Sequence, residues 1–392
     1  MFSLDNFYYV LHANFLQAFN PLDVWFNEFG DITIEKINIG VYSKDSIHKK
    51  TSTVLFYDQE PLVPHLIDSL FVLIGHNGPN LLSHKTIKVL ANSEISKLKT
   101  DLCREHHFYD WYYFFHGLAA LEWYRDFKYV PKVDSKFTKV FITLNHLVTK
   151  DRSYRLNFVA QLLEKNLDEH GHVSCQLADE SVTWRDEILN QTSKLSKPAK
   201  KLIYTQFSKL TEPLLVDDVK GGYRDCSSRL NLPLQESGLW HVVTETVFYY
   251  DKLHLTEKTF KPIVARRPFM LLAAPGNLTY LKSYGFKTFD RWIDESYDCE
   301  QDPDKRIAMV VAELEKLSNL DTVELETMYQ DMQEVLDHNF DHFYGNFKHL
   351  VVTEMINNFE KCLKQINIGR LPDKQVDITA FDPVAIYQRL MQ

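Results

Sequence analysis

Residues 241–276 read HVVTETVFYYDKLHLTEKTFKPIVARRPFMLLAAPG. A polar segment carrying Thr244 and Glu245 leads into the turn Thr256-Glu257-Lys258. An amphipathic stretch follows to about Arg267, then an apolar run over 269–274 closed by Pro275-Gly276. The pattern predicts strand, loop, helix, strand, with a lysine and a carboxylate where the helix begins. A helix start presents N–H groups that lack intrahelical partners, together with partial positive charge, and both favour phosphate. Lys258 would add a point charge there, and Glu257 could accept hydrogen bonds from sugar hydroxyls. Glu245 falls at a strand end, facing the same ligand or solvated. The layout suits a nucleotide-sugar diphosphate.

Upstream, 139–144 (KVFITL) predicts a buried strand, 145–150 a loop, and a helix from about Asp151 with Phe158, Leu162 and Leu163 on its apolar face. Arg152 and Arg155 stand near the start of that helix, where cations oppose the dipole. Binding an anion is one reason for them; pairing with Asp151 is another. Asn145 and His146, in the preceding loop, are candidate contacts to the same ligand. Further upstream, 53–57 (TVLFY), 70–75 (LFVLIG) and 87–91 (IKVLA) predict parallel-type strands. Their polar tips are Asp58-Gln59-Glu60, His76-Asn77 and Asn92-Ser93-Glu94, and ligands gather beyond the carboxyl ends of such strands. The aromatic stretch 106–131 is expected in a core, and the polar stretch 131–139 as a linker. Downstream, 305–317 and 324–366 show helical periodicity.

These elements predict an α/β protein of two facing Rossmann-like domains, with C-terminal helices packing back. The expected boundaries are 1–135 for an acceptor domain, 136–340 for a donor domain and 341–392 for a helical segment. A chain of 392 residues with 45% hydrophobic and 25% charged content fits two globular domains. The net charge of −9 argues against a general polyanion-binding surface. Five cysteines without a CxxC pair point to a reduced, cytoplasmic setting. No apolar run reaches the ~18 residues that span a bilayer, and the first residues lack a basic n-region. A soluble protein is expected.

A metal is not expected. Asp302-Pro303-Asp304 is a literal DxD, but Asp before Pro reads as a helix start. Asp217-Asp218 reads as a loop pair. His106, His107, His116 and His146 show no helical i, i+4 pairing with a carboxylate.

Three blocks in order resemble the α-1,3-fucosyltransferase-like family. They are Phe56-Tyr57-Asp58-Gln59-Glu60-Pro61, the strand–Asn–Arg arrangement of 139–155, and Thr256-Glu257-Lys258 before a helix and an apolar strand. The resemblance implies a GT-B glycosyltransferase that needs no metal and holds no tightly bound cofactor. Lys258 with Arg155 or Arg152 would neutralise the diphosphate of a UDP- or GDP-sugar, and Glu257 would hold the ribose. Glu60, with Asp58 beside it, would be the general base. Glu245 lies twelve residues before Glu257, unlike the seven-residue spacing common in retaining GT-B enzymes, which favours inversion. The acceptor would be a saccharide or, as in phage-type enzymes, a hydroxymethylated pyrimidine in DNA. The non-enzymatic alternative is a sugar-nucleotide-binding module.

Overall fold

All seven residues of the strand Gly238–Thr244 (GLWHVVT) are buried. A mostly apolar strand without polar alternation belongs inside a parallel sheet whose two faces are covered. The computed structural model, which describes residues 9–11, 36–38, 55–56, 61–62, 89–130, 136–179, 181–216, 228–368 and 383–391, places it there. Four parallel strands form this sheet: β1 (Lys139–Asn145), β2 (Gly171–Cys175), β3 (Gly238–Thr244) and β4 (Phe269–Leu272). Their order in space is β4-β3-β1-β2. From β1 the chain steps outward to β2, then returns past β1 to β3. The order therefore reverses between β1 and β3, and their carboxyl ends flank the crevice where open α/β sheets bind ligands. Gly171 lets β2 lie close to β1, since a Cβ there would sit 2.4 Å from the Phe141 ring.

The predicted helix from 151 divides into a 3-10 turn, Lys150–Arg152, and α1 (Tyr154–Glu164). Phe158 and Leu162 are fully buried on α1. The lysine-rich stretch 183–201 holds the helix Trp184–Leu189 and the start of α2 (Lys197–Phe207). The stretch after the Thr-Glu-Lys turn is shorter than its amphipathic pattern suggests. A 3-10 turn, Glu257–Thr259, runs into α3 (Phe260–Val264), and β4 follows directly. Asp302 caps α4 (Pro303–Ser318), its side chain accepting from Lys305 N at 2.9 Å, as a DxD read as a helix start requires.

Two compact units divide the chain: Met1–Trp123 with Phe347–Gln392, and Tyr124–Asn346. These limits differ from the expected boundaries at 135 and 340, and side-chain packing explains the second. In the helix Asn346–Asn367, Phe359 packs on Trp111 with ring centroids 4.5 Å apart, and the Met355 carbonyl accepts from Trp111 Nε1 at 3.2 Å. The helix therefore belongs to the first unit. There Leu55–Phe56, Val89–Asn92 and Tyr109–Tyr112 form a three-stranded parallel sheet. The aromatic stretch supplies its core: Trp111, Tyr113, Phe114 and Phe115 are buried. The strand expected over 70–75 and the greater part of the 131–139 stretch lie outside the described residues. Among those described, no helix is long and apolar enough to cross a membrane.

Candidate functional site

Where β1 and β3 end, side chains tie the strands together. Thr244 Oγ1 donates to Asn145 Oδ1 at 2.9 Å, and Asn145 Nδ2 donates to the Ser174 carbonyl at 3.1 Å. The buried Asn145 amide thus bridges the ends of β1, β2 and β3. Arg155 is buried on α1 with the same task. Its Nη1 donates to the Leu147 carbonyl at 2.7 Å, and its Nη2 to the carbonyls of Thr244 and Glu245 at 2.7 and 3.3 Å. Carbonyls past the end of a sheet ladder have no strand partner, and a guanidinium fork satisfies several at once. An arginine near the helix start is thereby engaged in holding strand ends; the residue pattern alone left anion binding or pairing with Asp151 open, and a diphosphate contact is what the family resemblance implies. Arg152 ends the preceding 3-10 turn and is half-buried.

Glu245 is wholly buried, neither solvated nor lining the cleft. Its Oε1 accepts from Thr256 N at 3.0 Å and Thr259 Oγ1 at 2.7 Å. Its Oε2 accepts from Thr256 Oγ1 at 2.6 Å and Thr246 N at 3.1 Å. The chain's own carboxylate therefore occupies the Thr256 donor at the turn where the sequence suggested phosphate. Tyr154 supports it: its hydroxyl donates to the Glu245 carbonyl at 2.5 Å, and burial raises its pKa above the ordinary phenol value, keeping it protonated.

The loop after β1 repeats this arrangement with residues that periodicity does not reveal. Asp179 accepts from Val148 N at 2.8 Å, Thr149 N at 2.7 Å and Thr149 Oγ1 at 2.8 Å. Glu187 accepts from Lys150 N at 2.9 Å and from Ser193 Oγ at 2.5 Å. It thereby holds Lys150 in the left-handed region, φ 55°, which a side chain with a Cβ rarely enters. The only sequence signal for these partners is an acid in the strand–helix stretch after β2, which any surface would also show.

Among the described residues a cavity of about 160 Å³ opens beside these supports. Ile142, Leu144 and Val242 give it an apolar lining, while His146, Glu257, Lys258 and Lys261 add polar and charged groups. Lys258 is anchored: its Nζ lies 3.3 Å from Thr246 Oγ1, 3.2 Å from Thr256 Oγ1 and 3.4 Å from Glu257 Oε1, with a third of the side chain exposed. Glu257 is nearly buried beside it. His241 also lines the cavity, with Nε2 donating to the Gln235 carbonyl at 2.7 Å. Burial pushes its imidazole down to about 3, so it is neutral.

The structure thus brings His146, Glu257 and Lys258 to one cavity. It places Asn145, Arg155, Glu245 and Thr256 behind that cavity as supports. Sequence reading missed Lys261, although its position three residues after Lys258 at the start of a helix was a usable signal. Asp58 and Glu60 lie outside the described residues. Among those described, no group of three or more His, Cys, Asp or Glu side chains is placed to hold a metal ion. Comparison with models of protein families and with curated proteins finds no match to this chain. The fucosyltransferase-like resemblance therefore rests on its three short blocks.

Proposed function

We propose that the protein is a nucleotide-sugar-dependent glycosyltransferase of the GT-B class, with its donor site in the cavity at the β1/β3 reversal. The observation that carries this reading is the cavity's chemistry at that position. Lys258, held by two threonine hydroxyls and Glu257, lines this cavity together with apolar residues of the parallel strands β1 and β3. An anchored ammonium suits a diphosphate, the Glu257 carboxylate suits ribose hydroxyls, and the apolar lining suits a planar base. In a metal-free transfer, Lys258 would stabilise the nucleoside diphosphate as it leaves. Glu60, with Asp58 beside it, would accept the proton of the acceptor hydroxyl. The acceptor is a saccharide or a hydroxymethylated pyrimidine in DNA; activity falling steeply with added salt would select DNA.

A thermal-shift screen against UDP-, GDP-, ADP-, CMP- and TDP-sugars tests the donor site. A true donor raises the melting temperature by mass action, about 2.7 kcal/mol of added stability at a hundredfold excess over Kd. No shift with any of them would end this reading. Glu60→Gln separates catalysis from mere binding, because a transferase loses turnover and keeps donor affinity, whereas a sugar-nucleotide-binding module is unaffected.

A further inference from the structure

We propose that the outer face of the helix Trp184–Leu189 and of α2 docks the protein on an anionic lipid surface. The inference goes beyond the donor-site reading and does not depend on it. On α2 the residues Ala199, Ile203 and Phe207 are buried, and the helix packs on α1. Lys197, Lys201 and Tyr204 stand on its other side at successive helical turns, all exposed. Contacts join the two helices into one surface. The Arg185 guanidinium lies 4.6 Å from the centre of the Trp184 ring, the Trp184 and Tyr204 ring centroids are 6.5 Å apart, and Lys200 Nζ donates to the Asn190 carbonyl at 2.7 Å. Asn190 follows Leu189, which is 77% exposed, while Tyr204 is 59% exposed. In a chain of net charge −9 this face gathers four cations, Arg185, Lys197, Lys200 and Lys201. Among the described residues none of the four has an ion-pair partner. The two acids of these helices are engaged elsewhere: buried Glu187 accepts from Lys150 N and Ser193 Oγ, and Asp186 closes a capping box with Thr183. Anionic headgroups complement such a face, each cation near the membrane adding about fivefold in affinity. Leu189 and Tyr204 decide between polyanions. An aliphatic chain and a phenol among ammonium groups suit the membrane–water interface, where Tyr sits at headgroup level and lysine stems lie along apolar surface. A single-stranded nucleic acid would stack on Tyr204 and leave Leu189 in water.

The test is co-sedimentation of the full chain at low ionic strength with vesicles of phosphatidylcholine alone and of phosphatidylcholine and phosphatidylserine in equal parts. A labelled single-stranded oligonucleotide, titrated by fluorescence anisotropy, is the competing probe. The unaltered protein should sediment with the anionic vesicles and not with the neutral ones, and added salt should release it. Lys197→Gln combined with Lys201→Gln should weaken vesicle binding about twenty-fivefold, roughly fivefold for each charge. Lys197→Arg with Lys201→Arg should keep it. Leu189→Ser should weaken vesicle binding about fivefold and leave oligonucleotide affinity as it was. Melting temperatures report on the fold; if the double variant unfolds, Lys197→Gln alone supplies the comparison. Equal sedimentation with neutral vesicles, no sedimentation at all, or indifference to the lysine changes overturns the proposal. So does tighter binding of the oligonucleotide with no effect of Leu189→Ser on vesicles, which would give the face to nucleic acid. None of these outcomes touches the donor cavity, whose lining includes none of these residues.

Discussion

Glu94 in the first unit and Glu245 in the second hold matching positions. Each stands just beyond the carboxyl end of a parallel strand, each is wholly buried, and each turns its carboxylate on a neighbouring loop. Glu94 accepts from Leu62 N at 2.7 Å and Ser96 Oγ at 2.6 Å. Glu245 accepts from two backbone amides and two threonine hydroxyls, one of which, Thr256 Oγ1, in turn touches the Lys258 ammonium. The difference lies in what the pinned loop carries. Glu94 fixes a main-chain path just after Pro61. Glu245 fixes a path together with the donors that orient a cation in a cavity. A buried acid at a strand end thus works as an internal anion, and at Glu245 one of the hydroxyls it gathers, Thr256 Oγ1, also orients a side chain.

Removing the larger hub should have the larger effect. Glu245→Ala leaves Thr256 N and two buried hydroxyls without their acceptor, and should destabilise by about 4 kcal/mol. Urea unfolding measures this, and loss of exchange protection at the Thr256 amide locates it. Arg155→Met removes the fork that holds the strand-end carbonyls beneath Glu245, and should destabilise by about 3 kcal/mol. If that variant keeps its stability and loses only ligand affinity, the guanidinium is a ligand contact and not a strand-end tie. Glu94→Ala should reach about 2 kcal/mol, with exchange quickening at Leu62. A loss equal to that of Glu245→Ala would break the comparison.

A pH series sharpens it further. The folded His241 imidazole sits near 3, below its ordinary value of 6.5. The unfolded chain therefore binds a proton that the native state does not. Stability is undiminished above pH 6.5 and declines as pH falls toward 3. Between pH 6.5 and 5 this amounts to about 2 kcal/mol, and His241→Leu should flatten the melting-temperature profile over that interval. The smallest effect belongs to Lys258→Ala. Its side chain is one-third exposed, so stability should change by no more than about 0.5 kcal/mol while affinity for the donor falls. A large drop in melting temperature would make Lys258 a structural residue.

The sheet of the second unit was legible because its strands are short apolar runs at α/β spacing; 139–144 and 269–274 foreshadow β1 and β4 almost to the residue. The switch-point residues were legible for the same reason, being the first polar positions after each run. The role of each was not. Glu245, Thr256 and Arg155 carry residue types that a nucleotide-sugar site uses, the arginine for phosphate and the carboxylate and hydroxyl for sugar hydroxyls, and those same types serve equally to satisfy the chain's own strand-end groups. Only the fold brings Asp179 to Val148 and Thr149, or Glu187 to Lys150. Pairings across thirty or more positions leave no periodic trace. The short α3 was misjudged in length because the amphipathic pattern continues past Val264, where Ala265 and Arg266 instead form a turn, with Arg266 at φ 48°.

The internal carboxylates also bear on how fast the cavity could fill. Asp179, Glu187 and Glu245 already hold the loop amides of Val148, Thr149, Lys150 and Thr256. Those segments need no ordering when an anion arrives. Capture there would wait only on local side-chain adjustment, a nanosecond event, and not on loop closure in the microsecond range. Stopped-flow binding should then show a single phase whose rate rises linearly with ligand concentration, without a plateau.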